Sequence, residues 1–244
     1  MTMGQRICVI GGGAAGISAG SMAKRTDPDA TVVVCTEYED VAYSPCGIPY
    51  VLGREIPDFE RLFLAGPENY AEAGIDLRTQ TVVTSVDTAN RTITANGHVV
   101  PWDKLIVCTG WNYTLPDVPG NDLEGLTFVK NIRRGIELNE TLDDVKKAVV
   151  LEAGPLGVEM LTALAHRGIE THLVDENAWL LAQIADPEIA EPVQESLKEL
   201  GCHLHFGVGL NGFVGSGGRL TGVDTSEGVI DADICVISTH KEPE

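Results

Sequence analysis

The feature that most constrains this chain is a short strand followed at once by a glycine-rich turn and a helix of small residues. Residues 6–10 (RICVI) form the apolar strand, residues 11–16 (GGGAAG) the turn, and residues 17–25 the helix. A second apolar run, residues 31–35 (TVVVC), follows the break TDPD. This order predicts a βαβ unit in a parallel sheet that is covered on both faces.

The same order of elements occurs again in the second half of the chain. AVVLEAGPLGVEMLTALAHRG repeats strand, glycine turn and helix, and ETHLVDEN supplies the next strand. Glu152 is the counterpart of Gly11, while Asp233 and Thr239 are the counterparts of Asp103 and Thr109. The sequence therefore predicts an α/β protein with two tandem Rossmann-like dinucleotide-binding domains. Their central parallel sheets carry antiparallel β-hairpin insertions, one of them at residues 81–100 with Asn96-Gly97 as its two-residue turn. We expect the domains at 1–115 and 116–244, joined by the proline-rich stretch 115–120.

The first turn meets the physical demands of a phosphate-binding turn. Gly11 allows the tight bend, Gly13 lets the backbone approach a pyrophosphate, and Gly16 lets the helix pack on the strand. The free N–H groups and positive dipole at the helix N-terminus then favour an anion. Ala14 and Ala15 complete this candidate cofactor-binding turn.

An acidic residue about 20 positions after such a turn commonly binds ribose hydroxyls. Glu37, directly after TVVVCT, is the candidate, although a solvated loop acid would have the same appearance. Thr36 stands immediately before it and is also a candidate contact.

The second turn departs from the pattern because Glu152 replaces its first glycine. A glutamate adds a Cβ to a tight bend and a negative charge near a pyrophosphate. The domain should fold, but its affinity for NADH is open. Gly154 and Gly157 remain, and Asp175 after the strand THLV suits a ribose 2′-hydroxyl and disfavours NADP.

The charge and hydropathy of the chain exclude some partners. Thirty-six acidic against seventeen basic residues give a formal charge of −19, which argues against a nucleic-acid partner. No apolar run approaches the roughly 20 residues that span a bilayer. A cytoplasmic location is the default expectation.

The six cysteines show neither a CxxC pair nor metal-ligand spacing, so no metal site is predicted. Cys8, Cys35, Cys108 and Cys235 lie in apolar strand-like runs, where cysteine behaves as a small buried hydrophobe. Cys46 differs, because Pro45 and Gly47 flank it. A cysteine at a helix N-terminus has a stabilised thiolate and is reactive, although Cys46 could also be one more buried cysteine.

Several segments together resemble one family. GGGAAG at 11–16, SPCGIPY at 44–50, GPENYAEAGID at 66–76, WDKLIVCTG at 102–110 and GPLGVEM at 154–160 are similar to the CoA-disulfide reductase and NADH oxidase branch of the FAD-dependent pyridine-nucleotide disulfide oxidoreductases. The resemblance covers essentially the whole chain. It implies FAD in the first domain, NADH in the second, and a single redox-active cysteine at Cys46.

The resemblance also assigns further candidate sites. It implies a CoA site with Ser18, Met22 and Arg25 as substrate-binding residues, beside Ala42 and Pro45. Met22, Ala42 and Pro45 replace polar residues of well-known members, so CoA is a possible rather than a required substrate. The remaining cofactor-binding candidates are Val82, Thr109, Gly110, Leu156 and Glu159.

Three hypotheses about function stay open on the sequence. The first is an FAD enzyme that passes electrons from NADH through flavin and Cys46 to a disulfide, persulfide, peroxide or O2. The second is a flavin-binding or redox-sensing protein without NADH turnover, suggested by Glu152 and by His240 in place of a glycine. The third is a piece of a longer chain or a homodimer, since family members continue with further FAD-binding and dimerisation segments.

Overall fold

The computed structural model describes residues 4–129, 131–238 and 241–244, so Thr239 and His240 lie outside the described residues. The helices are α1 (Ala14–Thr26), α2 (Ile48–Leu52), α3 (Pro67–Glu72), α4 (Ile132–Thr141), α5 (Pro155–His166) and α6 (Pro187–Glu199), with 3₁₀ turns at Pro45–Gly47 and Phe59–Leu62. The strands are β1 (Arg6–Ile10), β2 (Thr31–Cys35), β3 (Ile75–Arg78), β4 (Val83–Asp87), β5 (Thr92–Ala95), β6 (His98–Pro101), β7 (Lys104–Val107), β8 (Trp111–Tyr113), β9 (Leu126–Thr127), β10 (Lys147–Leu151), β11 (Glu170–Asp175), β12 (His203–Phe206), β13 (Leu210–Ser216), β14 (Arg219–Thr225), β15 (Gly228–Asp231), β16 (Ile234–Ile237) and β17 (Lys241–Pro243).

The chain divides into two compact units. The first comprises the chain up to Ser44, Glu60–Trp111 and Pro243–Glu244, and the second comprises Pro45–Phe59 and Asn112–Glu242. Strands β8 and β17 pair with each other, and the unit boundary falls inside each of them. The segment Pro45–Phe59, which carries Cys46 and is called the Cys46 segment below, therefore belongs to the second unit.

A four-stranded parallel sheet in the order β3-β2-β1-β7 forms the centre of the first unit. The central strands β1 and β2 are buried along most of their length, because each face of the sheet is covered. The three-stranded antiparallel sheet β4-β5-β6 covers one face, where Ile93 and Ala95 pack on Cys8 and Cys35. Helix α1 covers the other face through Ile17 and Ala23. Each fully buried valine or isoleucine of these layers contributes roughly 1.5–3 kcal/mol relative to an exposed one.

The hairpin predicted at residues 81–100 is present. Ala95 pairs with His98 across a two-residue turn in which Asn96 and Gly97 have φ angles of 47° and 80°. Asparagine and glycine are the residues that tolerate this left-handed backbone at the least cost. The predicted strand at residues 31–35 is also observed with the same bounds, whereas α1 begins at Ala14, three residues earlier than expected.

The second unit repeats the central arrangement with five parallel strands in the order β12-β11-β10-β16-β9. Helix α5 packs against β10 and β11, and the antiparallel sheet β13-β14-β15 covers the other face through Phe213, Leu220 and Val223. Two central parallel sheets, each with an antiparallel sheet packed on one face, confirm the predicted α/β fold class.

Asp103 and Asp233, which the internal repeat makes counterparts, have the same structural role. The Asp103 carboxylate accepts the backbone N–H of Arg6 at 2.7 Å, and the Asp233 carboxylate accepts that of Lys147 at 2.9 Å. Each aspartate therefore fixes the beginning of the first strand of its unit. This shared role supports the internal repeat in which Asp233 is the counterpart of Asp103.

The proline-rich stretch 115–120 contains neither helix nor strand. Val118 nevertheless packs against the core of the second unit, and the Pro119 carbonyl accepts the N–H of Phe213 at 2.8 Å. This stretch is thus part of the second unit rather than a free linker. In the part of the chain that the structure describes, no helix combines the length and apolar character needed to cross a bilayer.

Candidate functional site

The first glycine turn has a backbone that only glycine forms without strain. Gly11 has a φ angle of +104°, and its N–H donates to the carbonyl of Cys35 at 2.8 Å. A Cβ at Gly11 would overlap the carbonyl oxygen of Cys108. The tight bend between β1 and α1 therefore requires glycine for its dihedral angle and for its packing.

The other two glycines of the turn have different surroundings. A Cβ on Gly16 would overlap the carbonyl oxygen of Gly11, so this glycine lets α1 pack against the turn. A Cβ on Gly13 would meet no atom within 4 Å, because this position faces open space. Gly13 is the N-cap of α1, and Ala14 and Ala15 after it are exposed. The turn thus presents the unpaired N–H groups of a helix N-terminus on an open side, as an anionic phosphate requires.

Thr36 and Glu37 follow β2 at the same edge of the sheet as the glycine turn, since Ile10 pairs with Cys35. Thr36 is buried, its N–H donates to the Arg78 carbonyl at 2.9 Å, and its side chain fills the space beside Gly12. Glu37 is exposed. Thr36 is therefore part of the framework of the turn, while Glu37 is available to a ligand at this edge.

Val82 lies in a loop that Asn96 holds in place. The Asn96 side chain accepts the N–H of Val82 at 2.9 Å, and the backbone N–H of Asn96 donates to the Val82 carbonyl at 2.9 Å. The neighbouring Thr81 N–H donates to the Thr36 carbonyl at 2.8 Å, which brings this loop to the end of β2. Asn96, identified in the sequence only as a turn residue, is thus also a structural support of the candidate site.

Thr109 and Gly110 follow β7 at the carboxyl end of the same sheet. The Thr109 hydroxyl donates to the Glu244 carbonyl at 3.0 Å, and Gly110 has a φ angle of +82°. Cys108, just before them, donates its N–H to the Ile10 carbonyl at 2.7 Å. The segment is therefore fixed beside the first turn, and its cofactor contacts stay a prediction.

The second turn keeps the glycine backbone although glutamate occupies its first position. Glu152 has a φ angle of +73°, and its N–H donates to the Val174 carbonyl at 2.8 Å, as that of Gly11 does to Cys35. A Cβ on Gly157 would overlap the carbonyl oxygen of Glu152, just as a Cβ on Gly16 would overlap that of Gly11. A left-handed backbone costs a non-glycine residue roughly 1–2 kcal/mol, so the surrounding fold imposes this conformation on Glu152.

Asp175 has a structural role in addition to the predicted ribose contact. Its side chain is buried; one carboxylate oxygen accepts the Ala153 N–H, and the other accepts the backbone and side-chain N–H groups of Asn177 at 2.7 Å each. The carboxylate thus links the glycine turn to the end of β11. Sequence reasoning missed Asn177, although a polar residue two positions after the strand acid is compatible with such a turn.

Ser238 is a second residue that sequence reasoning missed. Its hydroxyl is buried at the end of β16 and lies 2.7 Å from the Leu151 carbonyl oxygen and 3.0 Å from that of Glu152. The single hydroxyl proton can therefore stabilise the strand end and the strained turn together. The signal in the sequence was that Ser238 is the first polar residue after the apolar run ICVI.

Helix α5 begins directly after this turn, with Gly154 as its N-cap and Pro155 as its first residue. Leu156 and Glu159 in its first turns are half-buried. Burial raises the pKa of the Glu159 carboxyl above its ordinary value. These residues lie at the helix N-terminus as predicted, and their contacts with a nicotinamide cofactor are not tested by the fold.

Cys46 is the exposed cysteine of this chain, all six cysteines being within the described residues. Cys8, Cys35, Cys202 and Cys235 are buried, and burial raises the pKa of each thiol, that of Cys8 to about 11. Cys108, which the sequence grouped with the buried cysteines, is only half-buried. Thiols in apolar surroundings are poor nucleophiles, so the structure favours Cys46 over the four buried cysteines as a reactive thiol.

The local structure at Cys46 differs from the expected helix start. Pro45 begins a 3₁₀ turn that ends at Gly47, and the five-residue helix α2 begins only at Ile48. Cys46 therefore precedes the helix instead of lying in its first turn.

Ser18, Met22 and Arg25 form an exposed stripe along α1, because their spacing places them on one helix face. The Arg25 guanidinium lies 3.2 Å from the Met22 sulfur. Ala42, the other candidate near Cys46, has a φ angle of 54°. In the described ranges no group of three or more histidine, cysteine, aspartate or glutamate side chains could hold a metal ion.

Two repeated dinucleotide-type turns, each followed by a helix, define a protein of the dinucleotide-binding class. The family model described as pyridine nucleotide-disulphide oxidoreductase matches residues 5–244. The chain therefore belongs to this family, as the resemblance in the sequence predicted, and the family uses FAD and NAD(P)H.

Two relatives and one solved structure show which members of this family the chain is similar to. The chain is 32% identical to an NADH oxidase of Methanocaldococcus jannaschii, over 98% of this chain and 55% of the relative. It is 30% identical to an NAD(P)H coenzyme A polysulfide/persulfide reductase of Pyrococcus horikoshii, over 99% of this chain and 55% of the relative. The solved NAD-dependent persulfide reductase from A. fulgidus matches with a TM-score of 0.91 at 26% identity, over 98% of this chain and 46% of that chain. The chain thus spans about half the length of the curated relatives it matches.

Proposed function

We propose that this protein is an FAD-dependent oxidoreductase that passes electrons from NADH through flavin to Cys46 and on to a disulfide, persulfide, peroxide or O2. The names of its relatives, NADH oxidase and coenzyme A persulfide reductase, support this class of acceptor. A small-molecule partner, a possible CoA substrate and a cytoplasmic location are parts of the same proposal.

The observation that carries the proposal is the geometry of the first turn. Gly11 and Gly16 are required by the fold itself, whereas the position of Gly13 faces open space. Fold alone does not demand glycine at Gly13. A backbone that must approach a pyrophosphate does demand it. The residues present therefore fit the phosphates of FAD, with Glu37 as the acid that would bind its adenosine ribose.

The second turn would hold NADH. Asp175 stands at the end of β11, where an acid binds the ribose 2′-hydroxyl and repels the 2′-phosphate of NADP. Its carboxylate already bonds Ala153 and Asn177, which preorganises it for this contact. Glu159 lies two residues beyond Gly157 on α5 and is our candidate contact to the nicotinamide side of the cofactor.

Cys46 would carry the electrons to the acceptor. Its thiolate attacks one sulfur of a disulfide RSSR, forms a mixed disulfide with one RS group and expels the other as a thiolate. FAD, when bound, supplies the electron pair that it takes from NADH. That pair cleaves the mixed disulfide, restores Cys46 and releases the second RS group, so that NADH, a proton and RSSR give NAD⁺ and two RSH.

Anaerobic stopped-flow mixing of FAD-loaded protein with NADH tests the proposal. We expect the visible absorbance of oxidised flavin to disappear, and to disappear also in Cys46→Ser, because Cys46 acts after the flavin. The Cys46→Ser variant should then fail to reduce a disulfide. Flavin that stays oxidised in the wild-type protein would overturn the proposal, and disulfide turnover by Cys46→Ser would remove the role of Cys46.

Glu152 favours a second candidate function, a flavin-binding or redox-sensing protein without NADH turnover. Its carboxylate adds a negative charge to a turn that would bind a pyrophosphate, and two anions in proximity repel. NADH affinity should be compared between the wild-type protein and Glu152→Gly. Reduction of the flavin only in the glycine variant would support the second function, and equal reduction in both would exclude it.

A further inference from the structure

Helix α5 has chemically distinct ends. It begins at the turn containing Glu152 and ends at His166, directly before its C-cap residue Arg167. The Arg167 side chain is only 4% exposed. Burying a guanidinium costs free energy unless its N–H donors are hydrogen-bonded. The partners of Arg167 therefore indicate which structural elements it holds together.

Arg167 donates to three acceptors of the second unit, one at the end of α2 and two in and just after α4. Its Nη1 donates to the carbonyl oxygen of Leu52 at 3.0 Å and to Oδ1 of Asn139 at 2.7 Å. Its Nη2 donates to Oδ1 of Asp143 at 2.7 Å. Leu52 ends α2, so its carbonyl is one of those that a helix leaves without an intrahelical donor. The rigid, forked guanidinium can satisfy all three acceptors at once.

The helices around Arg167 are in close contact. A Cβ on Gly53 would lie 3.1 Å from Cα of Ala163 in α5, and a Cβ on Gly135 in α4 would lie 2.7 Å from the Ile48 side chain in α2. His166 adds a contact of 3.4 Å between its Nδ1 and Oε1 of Glu55. The segment that carries Cys46 is thus packed on α4 and α5, with Arg167 at its C-terminal end.

We propose that Arg167 is a positioning residue that ties the Cys46 segment to the helix of the second glycine turn. The same helix that begins at the candidate nucleotide turn then fixes where Cys46 stands. This inference rests on the proposed redox role of Cys46. It goes further by assigning a function to a buried arginine for which the glycine turns and the cysteine chemistry give no reason.

The test compares Arg167→Gln with Arg54→Gln. Arg54 binds the same Asp143 oxygen at 2.6 Å, but its side chain is 60% exposed, and exposed pairs of this kind contribute little. In Arg167→Gln we expect the amides of residues 52–56 to exchange hydrogen at least about tenfold faster, because a buried carbonyl loses a charged donor. Amides of β10 and β11 should keep their exchange rates, and Arg54→Gln should match the wild-type protein.

A second measurement follows Cys46 itself. The rate and pH profile of its alkylation, read by mass spectrometry on the Cys46 peptide, should change in Arg167→Gln and return toward wild type in Arg167→Lys. Should Arg167→Gln fail to fold, Asn139→Ala removes one acceptor only, and a smaller change in the same segment is expected. Unchanged exchange in residues 52–56 together with unchanged alkylation would overturn the inference. Neither measurement requires flavin or NADH, so their outcome is independent of the flavin-reduction test.

Discussion

Replacing Gly13 with alanine should greatly weaken FAD binding and leave the fold intact. Gly13 has φ and ψ angles of −72° and −176°, which alanine adopts freely, and an added Cβ would meet no atom within 4 Å. Losing glycine as the N-cap costs up to about 1 kcal/mol. The less flexible unfolded chain returns about 0.4–1 kcal/mol. The free energy of unfolding of the apoprotein should therefore change by no more than about 1 kcal/mol in either direction.

The cofactor should respond quite differently to the same substitution. A methyl group on the open side of the turn would hold the pyrophosphate away from the backbone N–H groups of α1. Hydrogen bonds to a charged group contribute about 1.5–3 kcal/mol each. Losing two of them would weaken FAD binding by roughly 3–6 kcal/mol, which is about a hundredfold to ten-thousandfold in Kd.

Gly16→Ala is the matched control. Its Cβ would overlap the Gly11 carbonyl oxygen, so it should destabilise the apoprotein by at least the roughly 1–3 kcal/mol of an overpacked core. Urea unfolding of the three apoproteins gives the stabilities, and flavin fluorescence titration gives Kd. The reasoning is refuted if Gly13→Ala binds FAD with the wild-type Kd, or if it unfolds as readily as Gly16→Ala.

Three other predictions follow from the structure. Glu152→Gly should raise the free energy of unfolding by about 0.5–1 kcal/mol, because it removes a left-handed glutamate at the cost of some chain entropy; a lower thermal midpoint would contradict this. Burial lowers the pKa values of His172 and His205, whose Nδ1 and Nε2 atoms lie 3.0 Å apart. Their contribution to stability is present above the ordinary histidine pKa of 6.5 and is lost as the pH falls below it. Between pH 7 and 5 the wild-type protein should lose more stability than a variant with glutamine at both positions, and equal losses would refute the assignment. Iodoacetamide under native conditions should modify Cys46 before the four buried cysteines, as peptide mass mapping can establish; earlier modification of any buried thiol would contradict the exposure argument.

The parts of the fold that follow from local chemistry were predictable from the sequence. Strand β2 and the Asn96–Gly97 turn were predicted with their observed bounds, because apolar β-branched runs and left-handed turn residues act locally. The boundary of α1 was less accurate. Ala14 and Ala15 belong to the turn motif and to the helix at the same time, so their sequence does not separate the two.

What could not be predicted depends on contacts between residues distant in sequence. Arg167 and Leu52 are far apart along the chain, and nothing near either residue indicates their hydrogen bond. The same holds for the membership of Pro45–Phe59 in the second unit, which results from packing on α4 and α5. Sequence motifs thus made Cys46 a candidate reactive thiol, but only tertiary packing shows which elements hold it.

Comparison of the two glycine turns shows which of their residues the fold requires and which a ligand would require. Both keep the backbone hydrogen bond from the first residue to the adjacent strand, and both require the last glycine to avoid a carbonyl oxygen. Gly11 and Glu152 fill the same left-handed position, so the fold tolerates glutamate there at a cost that Ser238 and Asp175 help to offset through their bonds to the turn. Since the turn keeps its backbone despite that cost, the functional effect of Glu152 must be sought in what the turn binds. The affinity of Glu152→Gly for NADH is therefore the measurement that decides between the two candidate functions.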